Sequence, residues 1–217
     1  IYGNGMLGDW GAHIIDFAHN YLKLGLPTRI EPLRLDDYNQ VIFPLSSQIR
    51  MQFPKRGAGL PACEILWRDG SDAVPALDQK YYNSDASGKL VPPRLGRAGS
   101  ILHRSDEQFV IHRGSHGSAS RLYPRASMMD YKQALKAPSG GLDHMQSFIQ
   151  SCMGNGKTSS PFSVGGPLTQ LLMLGVIAQY LNEGFNFDRG TERITNNPVA
   201  DALLDGPKPR KGWEHYY

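Results

Sequence analysis

Six short extended runs follow one another between residues 28 and 123, and helical patterns lie on both sides of this block. Turn residues separate the runs from one another. The predicted strands are 28–33, 48–53, 63–67, 100–102, 108–112 and 121–123. The order helix, strands, helices is typical of an α+β domain, whereas a doubly wound sheet requires strand and helix to alternate. The sequence therefore predicts the α+β class.

The first helix is predicted over residues 9–24, with Asp9 as its N-cap and with Gly25 and Pro27 at its end. Further helices are predicted over about 142–153, 167–181 and 199–204. Pro167 is expected to begin the third helix, because proline is favoured in a first turn. Apolar side chains of the second and third helices are expected in the core: Phe148, Ile149, Met153, Leu168, Leu171, Leu172, Leu174 and Ile177.

Composition and charge exclude several classes of protein. With 217 residues, 40% apolar and 20% charged, the chain suits one globular domain over 1–217, with an irregular excursion around 69–99. Two cysteines exclude a disulfide framework and an all-cysteine zinc site. A net charge of +3 and basic stretches without stacked aromatic residues argue against nucleic acid as a partner. The longest apolar run, 171–178, is too short for a membrane span.

The chain opens at Ile1-Tyr2-Gly3, without an initiator methionine or an export signal. We therefore expect it to be a piece of a longer protein, and the sequence assigns no compartment.

The glycines Gly3, Gly5 and Gly8 match the G-x-G-x-x-G pattern of dinucleotide-binding turns, and Glu31 lies where a ribose-binding acid is expected. We reject this interpretation. No strand precedes the glycines, Asp9 would put a negative charge where the pyrophosphate must lie, and no further βαβ units follow.

Asp9, His13 and Asp16 lie near one face of the first predicted helix. A carboxylate one turn from an imidazole stabilises the protonated ring and orients it, which is the arrangement of a general base. Three interpretations remain open on the residues alone. The first is this general base, the second is a helix cap at Asp9 with a structural His13, and the third is a metal site. The metal sets would be Asp9, His13 and His19, or His112 and His116.

The segment 5–16, Gly-Met-Leu-Gly-Asp-Trp-Gly-Ala-His-Ile-Ile-Asp, resembles the G-x-x-x-D-x-G-x-H-x-x-D signature that opens the C-terminal domain of the Gfo/Idh/MocA oxidoreductases, the family of glucose–fructose oxidoreductase and inositol dehydrogenase. Further segments resemble a bacterial branch of that family, in the same order along the chain: 22–28, 114–117, 121–124, 158–162, 165–169 and 210–213. The resemblance thus covers nearly the whole chain.

The resemblance implies an α+β domain with a large, mostly antiparallel open sheet and helices packed on one face. In the family this domain follows an N-terminal Rossmann domain, which binds NAD or NADP, and the open sheet face commonly forms homo-oligomers. The substrate, a sugar, a cyclitol or a derivative, lies between the two domains. This chain would then have its own Rossmann domain as partner and would not bind the cofactor tightly by itself.

The resemblance also assigns roles to residues. His13 matches the family's histidine, which takes a proton from a substrate hydroxyl while hydride leaves the same carbon, and Asp9 matches its partner acid. The family's lysine, in an E-K-P motif of the Rossmann domain, has no counterpart here, so the isolated domain is expected to be inactive.

Other residues are candidates for substrate binding. Trp10 suits stacking on a sugar ring, although a packing role fits equally well, and Asp16 lies beside His13. Six arginines between residues 94 and 125 offer bidentate contacts, and Arg121 with His116 is expected to bind an anionic substrate or the absent domain. The alternative for these arginines is an ordinary solvated surface.

Two other functions compete with a net oxidoreductase. Some relatives oxidise a sugar hydroxyl transiently and then eliminate a glycosidic bond, which makes an NAD-recycling glycosidase. The third possibility is a non-catalytic carbohydrate-binding or assembly domain in which His13 is structural.

Overall fold

The computed structural model describes residues 3–39, 41–57, 59–71, 73–131, 143–158 and 160–216. The helices are α1 Gly5–Tyr21, α2 Ser127–Asp130, α3 His144–Cys152, α4 Phe162–Leu181 and α5 Pro198–Asp205, with short 3-10 helices at Gln79–Tyr81 and Glu214–Tyr216. The strands are β1 Arg29–Asp36, β2 Ser46–Phe53, β3 Cys63–Asp69, β4 Asn83–Ser84, β5 Leu90–Val91, β6 Gly99–His103, β7 Val110–Gly114, β8 Arg121–Tyr123, β9 Phe185–Asp188 and β10 Arg193–Ile194.

These elements confirm the predicted α+β class. The largest sheet has five strands in the order β10-β9-β1-β2-β3, β6, β7 and β8 form a second sheet, and β4 pairs with β5. Every pairing among the described strands is antiparallel. The six predicted strands correspond to β1, β2, β3, β6, β7 and β8. Between β3 and β6, the described part of the excursion predicted around 69–99 contains a 3-10 helix and the β4–β5 pair, with irregular segments between them.

The chain divides into two compact units. The first, here called the sheet unit, consists of Ile1–Trp10, Leu22–Asp72 and Gln170–Tyr217 and contains the five-stranded sheet. The second, here called the cleft unit, consists of Gly11–Tyr21 and Ala73–Thr169 and contains the other two sheets. Helices α1 and α4 each contribute residues to both units.

One face of the five-stranded sheet forms the core of the sheet unit. Strand β2 alternates, so that Ile49, Met51 and Phe53 are buried while the residues between them are partly exposed. Helix α4 approaches this face closely at Gly175, where a Cβ atom would lie 2.7 Å from the Met51 side chain and 2.5 Å from that of Leu7. Only glycine therefore fits at this point of the helix without displacing its neighbours.

The other face of the sheet carries charged side chains. Glu31 on β1 accepts hydrogen bonds from Arg29 at 2.8 Å and from Arg50 on β2 at 3.1 Å. Arg50 also lies 3.6 Å from Glu64 on β3, and Leu66 beside them is 40% exposed. Cross-strand pairs of opposite charge therefore cover this face instead of an apolar layer.

A buried polar network closes one end of the sheet unit. The Ser47 backbone N–H and hydroxyl donate to the Asp69 carboxylate at 2.6 and 2.8 Å, and the indole N–H of Trp67 donates to it at 2.8 Å. From helix α4, the Gln179 amide donates to the Ser47 hydroxyl at 2.6 Å. These bonds satisfy polar groups that would be costly to bury alone.

The cleft unit has a smaller apolar core. Its buried cluster consists of Leu77, Tyr81, Val110 and Tyr123, with Leu95 and Ile101 packed against it. None of the nine residues of α3, all of them within the described part of the chain, is buried. The prediction that Phe148, Ile149 and Met153 belong to the core is therefore wrong, because they are 58%, 51% and 65% exposed.

Two helix starts differ from the prediction. Helix α1 begins at Gly5, so Asp9 lies inside the helix and is not its N-cap. Gly8 lies inside the helix, whereas Gly3 and Gly5, with φ angles of 91° and 62°, have left-handed backbone where the helix begins. Helix α4 begins at Phe162, and Pro167 therefore lies inside it. The prediction weighed propensities of single residues, which tertiary packing overrides. Leu142, where α3 was predicted to begin, lies outside the described residues.

By length and composition alone, α4 is apolar enough to cross a membrane, with a mean hydropathy of 1.3 over its most apolar window. Core helices of water-soluble domains share this property. Leu171, Leu172, Leu174 and Ala178 on this helix are buried in the sheet unit, as predicted for the three leucines.

Candidate active site

A small cleft of about 180 Å³ lies between helix α1 and the end of strand β7 in the cleft unit. Its lining residues are Ala12, His13, Ile14, Asp16, Phe17, Arg113, Gly114, His116 and Gly117. Three residues singled out by the sequence, namely His13, Asp16 and His116, thus share one cleft although about a hundred residues separate the last from the others. Such convergence of polar groups in a concave site is typical of ligand binding.

The imidazole rings of His13 and His116 stack on each other. Their centroids are 4.5 Å apart and their planes differ by 22°. The side chains of both residues are exposed, and the Nδ1 atom of His116 lies 2.9 Å from the Ser115 hydroxyl. That contact fixes the orientation of the His116 ring and thereby holds it against His13.

A tight turn places His116 in the cleft. The Ser118 N–H donates to the Ser115 carbonyl at 3.3 Å, which closes a four-residue turn. His116 and Gly117 in its centre have φ angles of 55° and 74°. Two central residues in the left-handed region are typical of type I′ turns, and a histidine there costs more than a glycine would. The backbone therefore carries some strain at the residue whose ring stacks on His13.

Arg113 on β7 lines the cleft and contributes its permanent positive charge, whereas Asp16 lines it from α1. Its guanidinium carbon is 4.4 Å from the centroid of the Phe17 ring. No carboxylate within the described ranges forms an ion pair with Arg113. Asp16 is the carboxylate that lines the cleft with it, half-buried on α1.

The other residues predicted for the site lie elsewhere. Asp9 is exposed and precedes His13 by one turn of α1, and Trp10 is half-buried beside it. Both belong to the part of α1 that is assigned to the sheet unit. Asp9 does not lie in the first turn of α1, which is where the helix dipole favours a negative charge.

Arg121 is not among the residues that line the cleft. It lies on β8 directly opposite His112 on β7, and residues that face each other across an antiparallel pair project from the same side of the sheet. Arg113 follows His112 on β7 and so projects from the other side, toward the cleft. Burial lowers the pKa of His112, and the positive charge of Arg121 lowers this pKa further.

The structure brings together neither metal set considered from the sequence. His13 is exposed on α1 whereas His19 is 6% exposed, and His112 is buried whereas His116 is exposed. Among the described residues, no group of three or more His, Cys, Asp or Glu side chains is placed to hold a metal ion.

Sequence reasoning missed Arg113 and Phe17 as cleft residues. The alternation of β7 was the available signal, because it separates Arg113 from the buried His112 and leaves it on the side of His116. The half-buried ring of Phe17 on α1 lies under the Arg113 guanidinium group.

Comparison with known proteins identifies no family model, no curated protein and no solved structure that matches this chain.

Proposed function

We propose that this chain is the substrate-side part of an NAD(P)-dependent oxidoreductase that acts on a hydroxyl of a sugar, a cyclitol or a derivative, with His13 as the general base. The observation that carries the proposal is the exposed imidazole of His13 in a cleft shared with Asp16, Arg113 and His116. A histidine sealed in the core would have no access to substrate. An exposed imidazole is accessible to a substrate, and histidine is the side chain most often used as a general base.

In the proposed reaction His13 takes the proton of the substrate hydroxyl. The hydrogen on the same carbon leaves as hydride, a carbonyl forms, and the substrate is oxidised by two electrons. The nicotinamide, held by a domain outside this chain, would accept the hydride. Asp9, one turn earlier on the same helix, would stabilise the protonated imidazole. This effect is modest because Asp9 is exposed to solvent, which screens its charge.

Other cleft residues would bind the substrate. Asp16 and His116 offer hydrogen-bond partners to its hydroxyl groups, and Trp10 on α1 would stack on its ring. A cleft of about 180 Å³ is smaller than most small-molecule pockets, which span roughly 300–1,000 Å³. On this proposal, a substrate would make its remaining contacts with a domain outside this chain.

Gly8 lies inside α1 and is followed directly by Asp9, whose negative charge disfavours a pyrophosphate at this helix start. The proposal therefore assigns the cofactor to a Rossmann domain outside this chain, and the isolated chain is expected to be inactive.

The charged outer face of the five-stranded sheet, with Arg50 and Glu64, is the proposed contact between copies, and sedimentation of a Leu66→Asp variant of the full-length protein tests it.

The test of the proposal is a comparison of histidine variants in the full-length protein. Replacing His13 by Ala should lower kcat/KM for substrate-dependent reduction of NAD or NADP by about 10²–10⁴-fold, because a positioned base contributes that much. The acid limb of the wild-type pH–rate profile, which reports the base, should disappear in the variant.

His144→Ala is the matched control, since His144 is also exposed in the cleft unit but does not line the cleft. Its kcat/KM should stay within about twofold of wild type. Unchanged turnover in His13→Ala contradicts the assignment of the base. Release of a sugar without net cofactor reduction would replace oxidation by oxidation followed by elimination of a glycosidic bond.

A further inference from the structure

We propose that the substrate carries a carboxylate, as a sugar acid does, and that Arg113 binds this group. The inference deepens the proposed function and rests on it, because it names the class of substrate for the same cleft. Three features of the cleft unit carry it: the state of the Arg113 guanidinium, the turn that holds His116, and the balance of charges around the cleft.

The first feature is the contact of the Arg113 side chain with an aromatic ring. The Arg113 guanidinium carbon lies over the Phe17 ring, 4.4 Å from the ring centroid. The N–H donors of a guanidinium project from its edges, so an aromatic ring over its face leaves them available. No carboxylate in the described part of the chain pairs with Arg113. An arginine held in this way suits a planar acceptor that accepts two hydrogen bonds, which is a carboxylate.

Other arginines of the cleft unit differ from Arg113. Arg104 pairs with Asp106 in the turn after β6 and lies over the Phe109 ring at 4.5 Å. Its aromatic support is thus almost the same as that of Arg113, but a carboxylate of the protein already occupies its donors. The chain itself therefore shows which kind of group completes this arrangement.

The second feature is the turn from Ser115 to Ser118, which begins one residue after β7 ends. It places the centroid of the His116 ring 4.5 Å from that of the His13 ring. His116 follows Arg113 by three residues. His13 and Arg113 line the same cleft, so a substrate with its reacting hydroxyl at His13 would place a second group, the carboxylate, at Arg113. The two anchors would fix the ring of the substrate with the reacting carbon at His13.

The third feature selects a carboxylate over a phosphate. Arg113 supplies one permanent positive charge and Asp16 supplies one negative charge to the lining. A phosphate monoester, which carries about −1.5 to −2 at neutral pH, would leave an excess of negative charge beside Asp16. The cleft therefore favours the monoanion.

The experiment measures binding, which does not depend on turnover. Calorimetric titration of the full-length protein with D-glucuronate, D-glucose and D-glucose 6-phosphate compares a carboxylate, a neutral sugar and a phosphate. Wild type should bind glucuronate at least about tenfold more tightly than glucose, because hydrogen bonds to a charged group are worth that factor or more. Arg113→Gln should reduce this ratio to about one while glucose binding changes less than about twofold.

Arg97→Gln is the matched control, since Arg97 is exposed in the same unit and does not line the cleft. It should preserve the ratio, and Phe17→Leu, which removes the support but not the charge, should reduce the ratio partly. Equal binding of glucuronate and glucose by wild type, no binding of glucuronate, an unchanged ratio in Arg113→Gln, or tighter binding of the phosphate each overturns the proposal. Reduction of NAD or NADP is measured separately from binding. If the wild-type protein does not reduce the cofactor but still binds glucuronate at least about tenfold more tightly than glucose, the proposed function is refuted and this inference is not.

Discussion

The sheet unit and the cleft unit differ in how much apolar surface they bury. Strands β1, β2 and β9 of the sheet unit contribute Ile30, Ile49, Met51 and Phe185, all at 0% exposure. Among the described residues of the cleft unit the buried apolar side chains are fewer: Leu77, Tyr81, Val110 and Tyr123 form a cluster, Ile15, Ala18, Phe109, Leu122 and Leu168 are buried as well, and helix α3 buries none of its residues. Since burial contributes about 25 cal/mol per Å² of apolar surface, most of the hydrophobic stabilisation belongs to the sheet unit.

The candidate site lies in the unit with the smaller core. Its residues are on a helix, at a strand end and in a strained turn, whereas the sheet unit holds a continuous buried layer. Regions with few buried apolar contacts open locally at low free energy, and binding sites are commonly found there. The contrast teaches that the larger core of this chain and its candidate site lie in different parts of the sequence.

The largest expected effect tests this contrast with one residue type in both units. Ile49 is 0% exposed on β2, and Ile149 is 51% exposed on α3. Ile49→Ala should lower the free energy of unfolding by about 2–5 kcal/mol, because it leaves a cavity. Ile149→Ala should change it by less than about 0.5 kcal/mol, as surface substitutions do. Urea unfolding of both variants measures the difference, and equal effects would break the comparison.

A smaller effect sharpens the comparison on polar groups. Ser47→Ala removes the hydroxyl that joins Gln179 to Asp69 in the sheet unit. The free energy of unfolding should fall by about 1–3 kcal/mol, because buried partners lose their hydrogen bonds. Ser105→Ala, at an exposed turn position of the cleft unit, is the control and should cost less than about 0.5 kcal/mol. The idea of a structural network fails if thermal unfolding gives both variants the same stability.

The smallest effect concerns pH and the cleft unit. Burial and then Arg121 lower the pKa of His112 in the folded state, so folding disfavours its protonated form. Stability is therefore complete above the ordinary pKa of histidine, about 6.5, and falls as the pH drops below that value. His112→Gln should flatten the dependence of the melting temperature between about pH 8 and about pH 5.

His144→Gln serves as the control for this pH dependence, because His144 is exposed. It should retain the wild-type loss of stability on the acid side. A wild-type-like slope in His112→Gln would show that other groups produce it.

Much of the fold followed from local patterns in the sequence. The alternation of Ile49, Met51 and Phe53 predicted β2, and Gly25 with Pro27 placed the end of α1 within three residues. The strands β9 and β10 were missed. Their four and two residues carry too few side chains for a period to be recognised, and they form by pairing, β9 with β1 and β10 with β9.

The candidate site was predictable only in part. His13 and Asp16 follow from their spacing on one helix, but the sequence does not show that a turn over a hundred residues away brings His116 onto the His13 ring. Likewise Arg121 was preferred to Arg113, because the side of the sheet on which each residue projects depends on strand pairing. Non-local contacts of this kind are absent from any local pattern. The prediction that Phe148 and Ile149 are buried was wrong for the same reason, because the helical spacing of apolar residues does not show whether another element covers them.

The charge pairs on the outer face of the sheet act as a check on misalignment while the strands assemble. A slip of two residues between β1 and β2 would still direct Ile49 and Met51 inward, so the apolar layer alone would tolerate this error. In one direction the slip would set Arg50 against Arg29, and in the other it would set Arg50 against Leu33. Either slip separates Arg50 from Glu31. The ion pairs of this solvent-facing surface add little to stability, but they select against strand registers that burial of the apolar face alone would allow.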